Sequence, residues 1–400
     1  MPSAPPESPV DHQTVAGSVV DHEKGDRDNV GVQPTSDPPS PSEIVPPDGG
    51  FDAWITIAGA WLFQFCTFGY INAFGVYQDY YTRTFLTKYT ASDISWIGSF
   101  QLAMQYFPGV LVGRVFDAGY FHHLCISGSI LYVFSMFMLS LVKENQYYQV
   151  FLSQGVGMGV AQGMLFLPSL TIVPHHFRRR RALATGIVVT GSSAGGIVIP
   201  IMLNRLFRSH LGFANGVRIG AAMVAVLLIL ANLMVRTRLP PKSARSSFSR
   251  DDLKRILTDW PYMTAMAGAF CTNLGLFFPY FYMQLWTIEH GIDQTLAFYT
   301  LAIVNAGSVG GRLLPTFLAD IVGVYNMLLP CMASSAILLW AIFGAKTSAG
   351  VIVVSLLFGF SSGACMKLFP LSTFRPFRLT SFSRRFSDPE PPRMPRTEHL

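Results

Sequence analysis

Residues 175–186 read His175-His176-Phe177-Arg178-Arg179-Arg180-Arg181-Ala182-Leu183-Ala184-Thr185-Gly186. Four consecutive guanidinium groups are too costly to place in hydrocarbon, so the run marks a point where the chain reaches water. The stretches on both sides of it are long, glycine-rich and apolar. The run therefore separates two membrane-crossing helices on one side of a bilayer. Composition carries the same message outward: of 400 residues, 50% are hydrophobic and 13% charged, where a soluble domain carries about 25% charged residues.

Apolar runs separated by short polar breaks occur at approximately 54–77, 94–115, 124–142, 150–173, 182–203, 217–235, 262–285, 296–318, 327–345 and 349–366. Each is long enough to cross a hydrocarbon core of roughly 30 Å. Lipid offers the backbone no hydrogen-bond partners, so each must be helical. The expected fold is an all-α membrane protein of ten transmembrane helices. Trp54, Tyr77, Tyr80, Tyr81, Trp96, Tyr147, Tyr148, Trp260, Trp286 and Tyr299 fall near the ends of these runs and read as an interfacial belt.

The net charge of +6 comes from residues that flank membrane helices, which excludes a nucleic-acid surface. With the N-terminus inside, the cytoplasmic loops hold Arg114, Arg178 to Arg181, Arg236, Arg238, Lys242, Arg245, Arg250, Lys254 and Arg255, and the outer loops hold Arg83, Lys88, Lys143, Arg205, Arg208 and Lys346. Twelve against six favours a cytoplasmic N-terminus, with the cell membrane as the expected location. Residues 1–50 carry nine acids against Lys24 and Arg27, with no apolar run, and read as a disordered cytoplasmic tail without a signal peptide.

Catalysis, metal and cofactor find no support. The five cysteines, Cys66, Cys125, Cys271, Cys331 and Cys365, lie in predicted spans at no disulfide or metal spacing. Glycines 155, 157, 159, 163, 186, 191, 195 and 196 follow no strand and precede no P-loop lysine; they read as small residues that let membrane helices approach. The expected partners are a small molecule and the bilayer, with the protein a monomer.

A polar, basic stretch at 237–259 divides six spans (51–236) from four (260–366), and a basic tail follows at 367–400. Two bundles joined by a linker form the plan on which alternating access operates around a midplane site. The halves echo each other: Gly113-Arg114-Val115-Phe116-Asp117-Ala118-Gly119 closes the second span, and Gly311-Arg312 with Asp320 and Gly323 closes the eighth.

Three motifs carry a family resemblance. Gly113 to Asp117 resembles the loop signature of the major facilitator superfamily, with Tyr120, Phe121 and His122 where basic residues are usual. Pro47-Asp48-Gly49-Gly50-Phe51-Asp52-Ala53-Trp54 and Phe177 to Gly191 resemble the two signatures of its monocarboxylate-porter family, and Gly75 to Tyr81 is most similar to fungal members. The resemblance implies two bundles of twelve spans in all, and secondary transport of a small organic molecule such as an organic acid or exported secondary metabolite. Past Met366 no apolar run long enough to cross a bilayer remains. The abrupt change of composition there reads as truncation, from a frameshift or misread splice junction, which keeps a receptor-like or degenerate paralogue as the alternative.

Arg312 lies eight residues before Asp320, roughly 12 Å inside its helix at 1.5 Å per residue. Asn305, Ser308 and Arg312 recur at helical spacing and form one polar face. A guanidinium there suits a carboxylate, or serves as a structural hydrogen-bonding group. The resemblance implies an arginine used in substrate handling on this span, with Ser308 in place of the family's acidic partner; the family's first-span lysine has no counterpart here. Gln101 and Gln105, one turn apart, and Asn72 complete the expected substrate contacts. Asp117, Arg180, Arg181 and Asp320 are the expected gate, although the arginine run also reads simply as a determinant of topology.

Overall fold

The computed structural model describes residues 49–178, 180–238, 254 and 257–373. Among the described residues there are helices and turns and no strand. The helices are α1 (Phe51–Phe85), α2 (Ala91–Tyr106, continued as Gly109–Asp117), α3 (Phe121–Ser140), α4 (Tyr147–His175), α5 (Arg181–Arg208), α6 (Gly212–Met234), α7 (Trp260–Glu289), α8 (Gln294–Val322), α9 (Val324–Ala341) and α10 (Ser348–Thr373). Eight segments, from every helix but α2 and α7, are long and apolar enough to cross a membrane. The fold is all-helical and multi-pass.

Three spans depart from the sequence expectation. Pro108 divides α2 after Phe107, because proline supplies no N–H to the preceding turn. α1 runs on to Phe85 but breaks at Thr67 and again at Asn72-Ala73, then ends in a π-turn. At the first break the Thr67 hydroxyl donates to the Phe63 carbonyl at 2.7 Å. α10 continues past Met366 to Thr373, so the expected tail does not begin at 367. The expected N-terminal tail, most of the linker and residues 374–400 lie outside the described residues.

The apolar core falls into two clusters, one drawn from α1 to α6 and one from α7 to α10. The first is threaded by hydrogen bonds. Gln101 Nε2 donates to Gln162 Oε1 at 3.0 Å, Gln162 Nε2 donates to the Tyr132 hydroxyl at 2.9 Å, and that hydroxyl donates to the Cys66 carbonyl at 2.8 Å. One chain of bonds thus ties α2, α4, α3 and α1. The hydroxyls of Tyr70 and Tyr77 share a bond of 2.5 Å, and Tyr81 donates to Gln154 at 2.7 Å.

The two sequence motifs flanking α1 and α5 meet at one end of this bundle, here called the basic end. Trp54 packs edge-on against Phe177 at 5.3 Å, and Phe116 of α2 packs against His175 at 5.6 Å. His176 is buried, and its Nε2 donates to the Arg236 carbonyl just after α6 at 2.8 Å. The Arg236 N–H donates to Thr56 Oγ1 at 3.3 Å, while its guanidinium pairs with Asp52 at 3.2 Å. The start of α1, the α4–α5 turn and the end of α6 form one clasp.

Candidate functional site

The two core clusters meet chiefly through α5 and α8. Both helices carry small or short polar residues on the facing sides, so their backbones approach closely. A Cβ on Gly186 would lie 2.8 Å from the Arg312 carbonyl oxygen, and one on Gly196 would lie 2.9 Å from the Asn305 amide. Between these two contacts the seam is hydrogen-bonded. Arg312 Nη1 donates to the Val189 carbonyl at 2.8 Å and to the Ser192 hydroxyl. The Ser193 hydroxyl donates to Ser308 Oγ at 3.3 Å. The polar face expected on α8 is real, and in this conformation it is turned onto α5.

Arg312 is only 2% exposed, and the phenols of Tyr106 and Tyr280 lie within electrostatic reach of it. Its Nε has no hydrogen-bond partner, nor has Asn305 Oδ1. Gln105 is buried beside Tyr106 with both amide atoms unpartnered. Buried polar atoms are nearly always bonded, and Gln64 Oε1, His176 Nδ1, Asn232 Oδ1, Trp286 Nε1 and Ser355 Oγ share this unpartnered state elsewhere among the described residues. Gln101, one turn from Gln105, differs: its amide is engaged by Gln162 inside the first bundle.

Immediately past Gly196, away from the basic end, α5 and α8 diverge. A cleft of about 570 Å³ opens there between α1 and α5 on one side and α7 and α8 on the other. Its wall takes Asn72, Val76, Asp79, Tyr80 and Arg83 from α1, Gly196, Pro200, Ile201, Asn204, Phe207 and Arg208 from α5, Gln284 and Ile288 from α7, and Phe298, Leu301 and Ala302 from α8. Volumes of roughly 300–1,000 Å³ with apolar walls and a few polar groups suit small organic ligands. Of the expected substrate contacts only Asn72 lines the cleft; Asn305, Ser308 and Arg312 continue as its closed floor.

The cleft also contains groups that sequence reading did not single out. Asn204, Arg208 and Gln284 line it, as does the Asp79–Arg83 ion pair at 2.6 Å. In the sequence Arg208 shows only as an outer-loop charge, although Asn204 and Arg208 stand one turn apart and share a helical face. The seam partners Val189, Ser192 and Ser193 carried no signal, because a serine in a glycine-rich helix reads as packing.

The expected gate residues stand as follows. Asp117, Arg180 and Arg181 are exposed at the basic end, beyond the seam from the cleft. Asp320 lies in the last turn of α8, and its side chain is outside the described set. Among the described residues no group of three or more His, Cys, Asp or Glu could hold a metal ion. All five cysteines are free, four of them buried.

A cleft between two helical bundles with a polar seam beneath it is a transporter's arrangement, and known proteins agree. The sequence pattern of the Major Facilitator Superfamily matches residues 53–380. The chain is 41% identical to the aspyridones efflux protein apdF of Emericella nidulans over 334 residues, covering 83% of this chain and 67% of that relative. It is 39% identical to the agnestins efflux protein AgnL12 of Paecilomyces divaricatus over 343 residues, 83% and 78% of the two chains. It is 42% identical to the MFS-type transporter pytF of Aspergillus terreus over 278 residues, 70% and 93%. With ten helices in two clusters among the described residues, a cleft between them and these relatives across most of its length, the chain belongs to the major facilitator superfamily as a multi-pass membrane transporter of small molecules.

Proposed function

We propose that the protein exports an amphiphilic secondary metabolite across the cell membrane by alternating access, with its N-terminus and basic end in the cytoplasm. The observation that carries this reading is the cleft open at one end and closed at the other by the α5–α8 seam. In this orientation the cleft faces outside, and the seam is the barrier between cargo and cytoplasm. Rocking of residues 51–236 against 260–366 would part the seam and expose Asn305, Ser308 and Arg312, with Gln105 and Asn72, to cargo entering from inside. Asp117, Arg180, Arg181 and Asp320 would then exchange partners at the cytoplasmic rim. Gln101 acts in this scheme as scaffold.

Two features support export of an organic acid. Arg312 is a deep cation without a buried carboxylate among the seam contacts named above, and a guanidinium binds such anions through two parallel bonds. Relatives near 40% identity are named for the efflux of aspyridones and agnestins, which supports export as the direction proposed for this chain. The test is metabolite profiling inside and outside cells that express the full-length chain, its Arg312→Ala variant or neither. Export to the medium is expected from the first only, at equal membrane abundance. Equal distributions in all three would remove transport and favour a receptor-like role; export by Arg312→Ala would remove Arg312 from the pathway.

A further inference from the structure

The charged residues lining the cleft are Asp79, Arg83 and Arg208. Asp79 and Arg83 neutralise each other at 2.6 Å. Arg208 has no hydrogen-bond or ion-pair partner among the described residues, although it is exposed on the cleft wall. The cleft therefore presents one uncompensated guanidinium. One turn deeper on the same face of α5, Asn204 offers an amide to the same space. Opposite them, α7 and α8 bring Ile288, Phe298 and Leu301, an apolar wall without charge.

We infer that Arg208 and Asn204 form an outer anion subsite, which holds the carboxylate of an amphiphilic organic molecule while its apolar part lies on Phe298 and Ile288. This subsite is separate from Arg312, which is buried beneath the cleft floor, so an anionic cargo meets two guanidinium groups in succession along α5 and α8. Arg208 is the specificity residue of the open cleft: it accepts a monoanion, while the charge of Asp79 is consumed by Arg83 and repels little. The inference rests on the cleft being the transport pathway, yet binding at Arg208 can be measured without any transport.

The experiment uses the full chain in lipid nanodiscs and two probes of one shape, 2-naphthoate and the neutral 2-naphthamide, titrated by calorimetry. A charge-assisted bidentate contact predicts that naphthoate binds about tenfold tighter than naphthamide. Arg208→Gln should erase that preference with naphthamide affinity unchanged, and Arg208→Lys should retain part of it. Arg205→Gln, an exposed cation on α5 outside the cleft wall, should keep the full preference. Equal affinities for the two probes in the unaltered protein, or equal losses in Arg205→Gln and Arg208→Gln, would overturn the subsite. Export that survives while Arg208→Gln keeps the preference sinks the subsite alone; a preference that depends on Arg208 in a protein that exports nothing sinks the transport reading alone.

Discussion

Two sets of buried polar side chains lie within this protein, and they are built on opposite terms. In the first bundle Gln101, Gln162 and Tyr132 pass hydrogen bonds from α2 to α4 to α3 and end on the Cys66 carbonyl. Each of these side-chain amides and the phenol is bonded within one bundle. Along the seam, Arg312, Ser308 and Asn305 bond across bundles to α5 or back to their own helix, and Arg312 Nε and Asn305 Oδ1 are left over. In membrane helices polarity alone does not separate scaffold from pathway. Whether the hydrogen-bond partner belongs to the same bundle or to the other one does.

The strongest way to break this comparison is to make the seam permanent. Ser193 and Ser308 have their hydroxyl oxygens 3.3 Å apart, so the double variant Ser193→Cys, Ser308→Cys should form a disulfide across α5 and α8. Export should stop under oxidation and return with reductant, while a cross-linked protein that still exports would show that the seam does not open. A smaller effect is expected from the scaffold. Gln101→Leu should lower stability by about 0.6 kcal/mol and by no more than about 1.7, the average and maximum for interhelical hydrogen bonds in membranes, seen as a lower melting temperature in detergent with export per molecule retained. Loss of export at undiminished stability would move Gln101 into the pathway. The smallest effect belongs to the Asp79–Arg83 pair, which is solvent-exposed: Asp79→Asn should change stability by less than about 1 kcal/mol, and a larger fall in the same melting experiment would make the pair a structural element.

The same contrast explains what could be read from the chain before folding. Ten apolar runs and the basic loop at 178–181 are local properties, and they placed the helices to within a few residues in most spans. The break at Pro108 was equally local, yet lay hidden inside a continuous apolar run. The spacing of Asn305, Ser308 and Arg312 revealed a polar face on α8, since helical periodicity is written in sequence. What that face touches is not, because Val189 and Ser192 lie more than a hundred positions away and owe their contact to the glycines that draw α5 against α8. Arg208 was visible as a charge at a helix end; that it faces the cleft depends on where α7 and α8 diverge from α5, a tertiary property.

The clasp at the basic end has a mechanical meaning. His176 and Thr56 bond the carbonyl and the N–H of Arg236, so the segment just after α6 is fastened to the second turn of α1 and to the turn before α5. The bundle is thereby hooped shut at the place where the chain enters and leaves it. The rocking proposed above needs this bundle to move as one body, and the hoop supplies the tie between α1, α5 and α6 that such a motion requires.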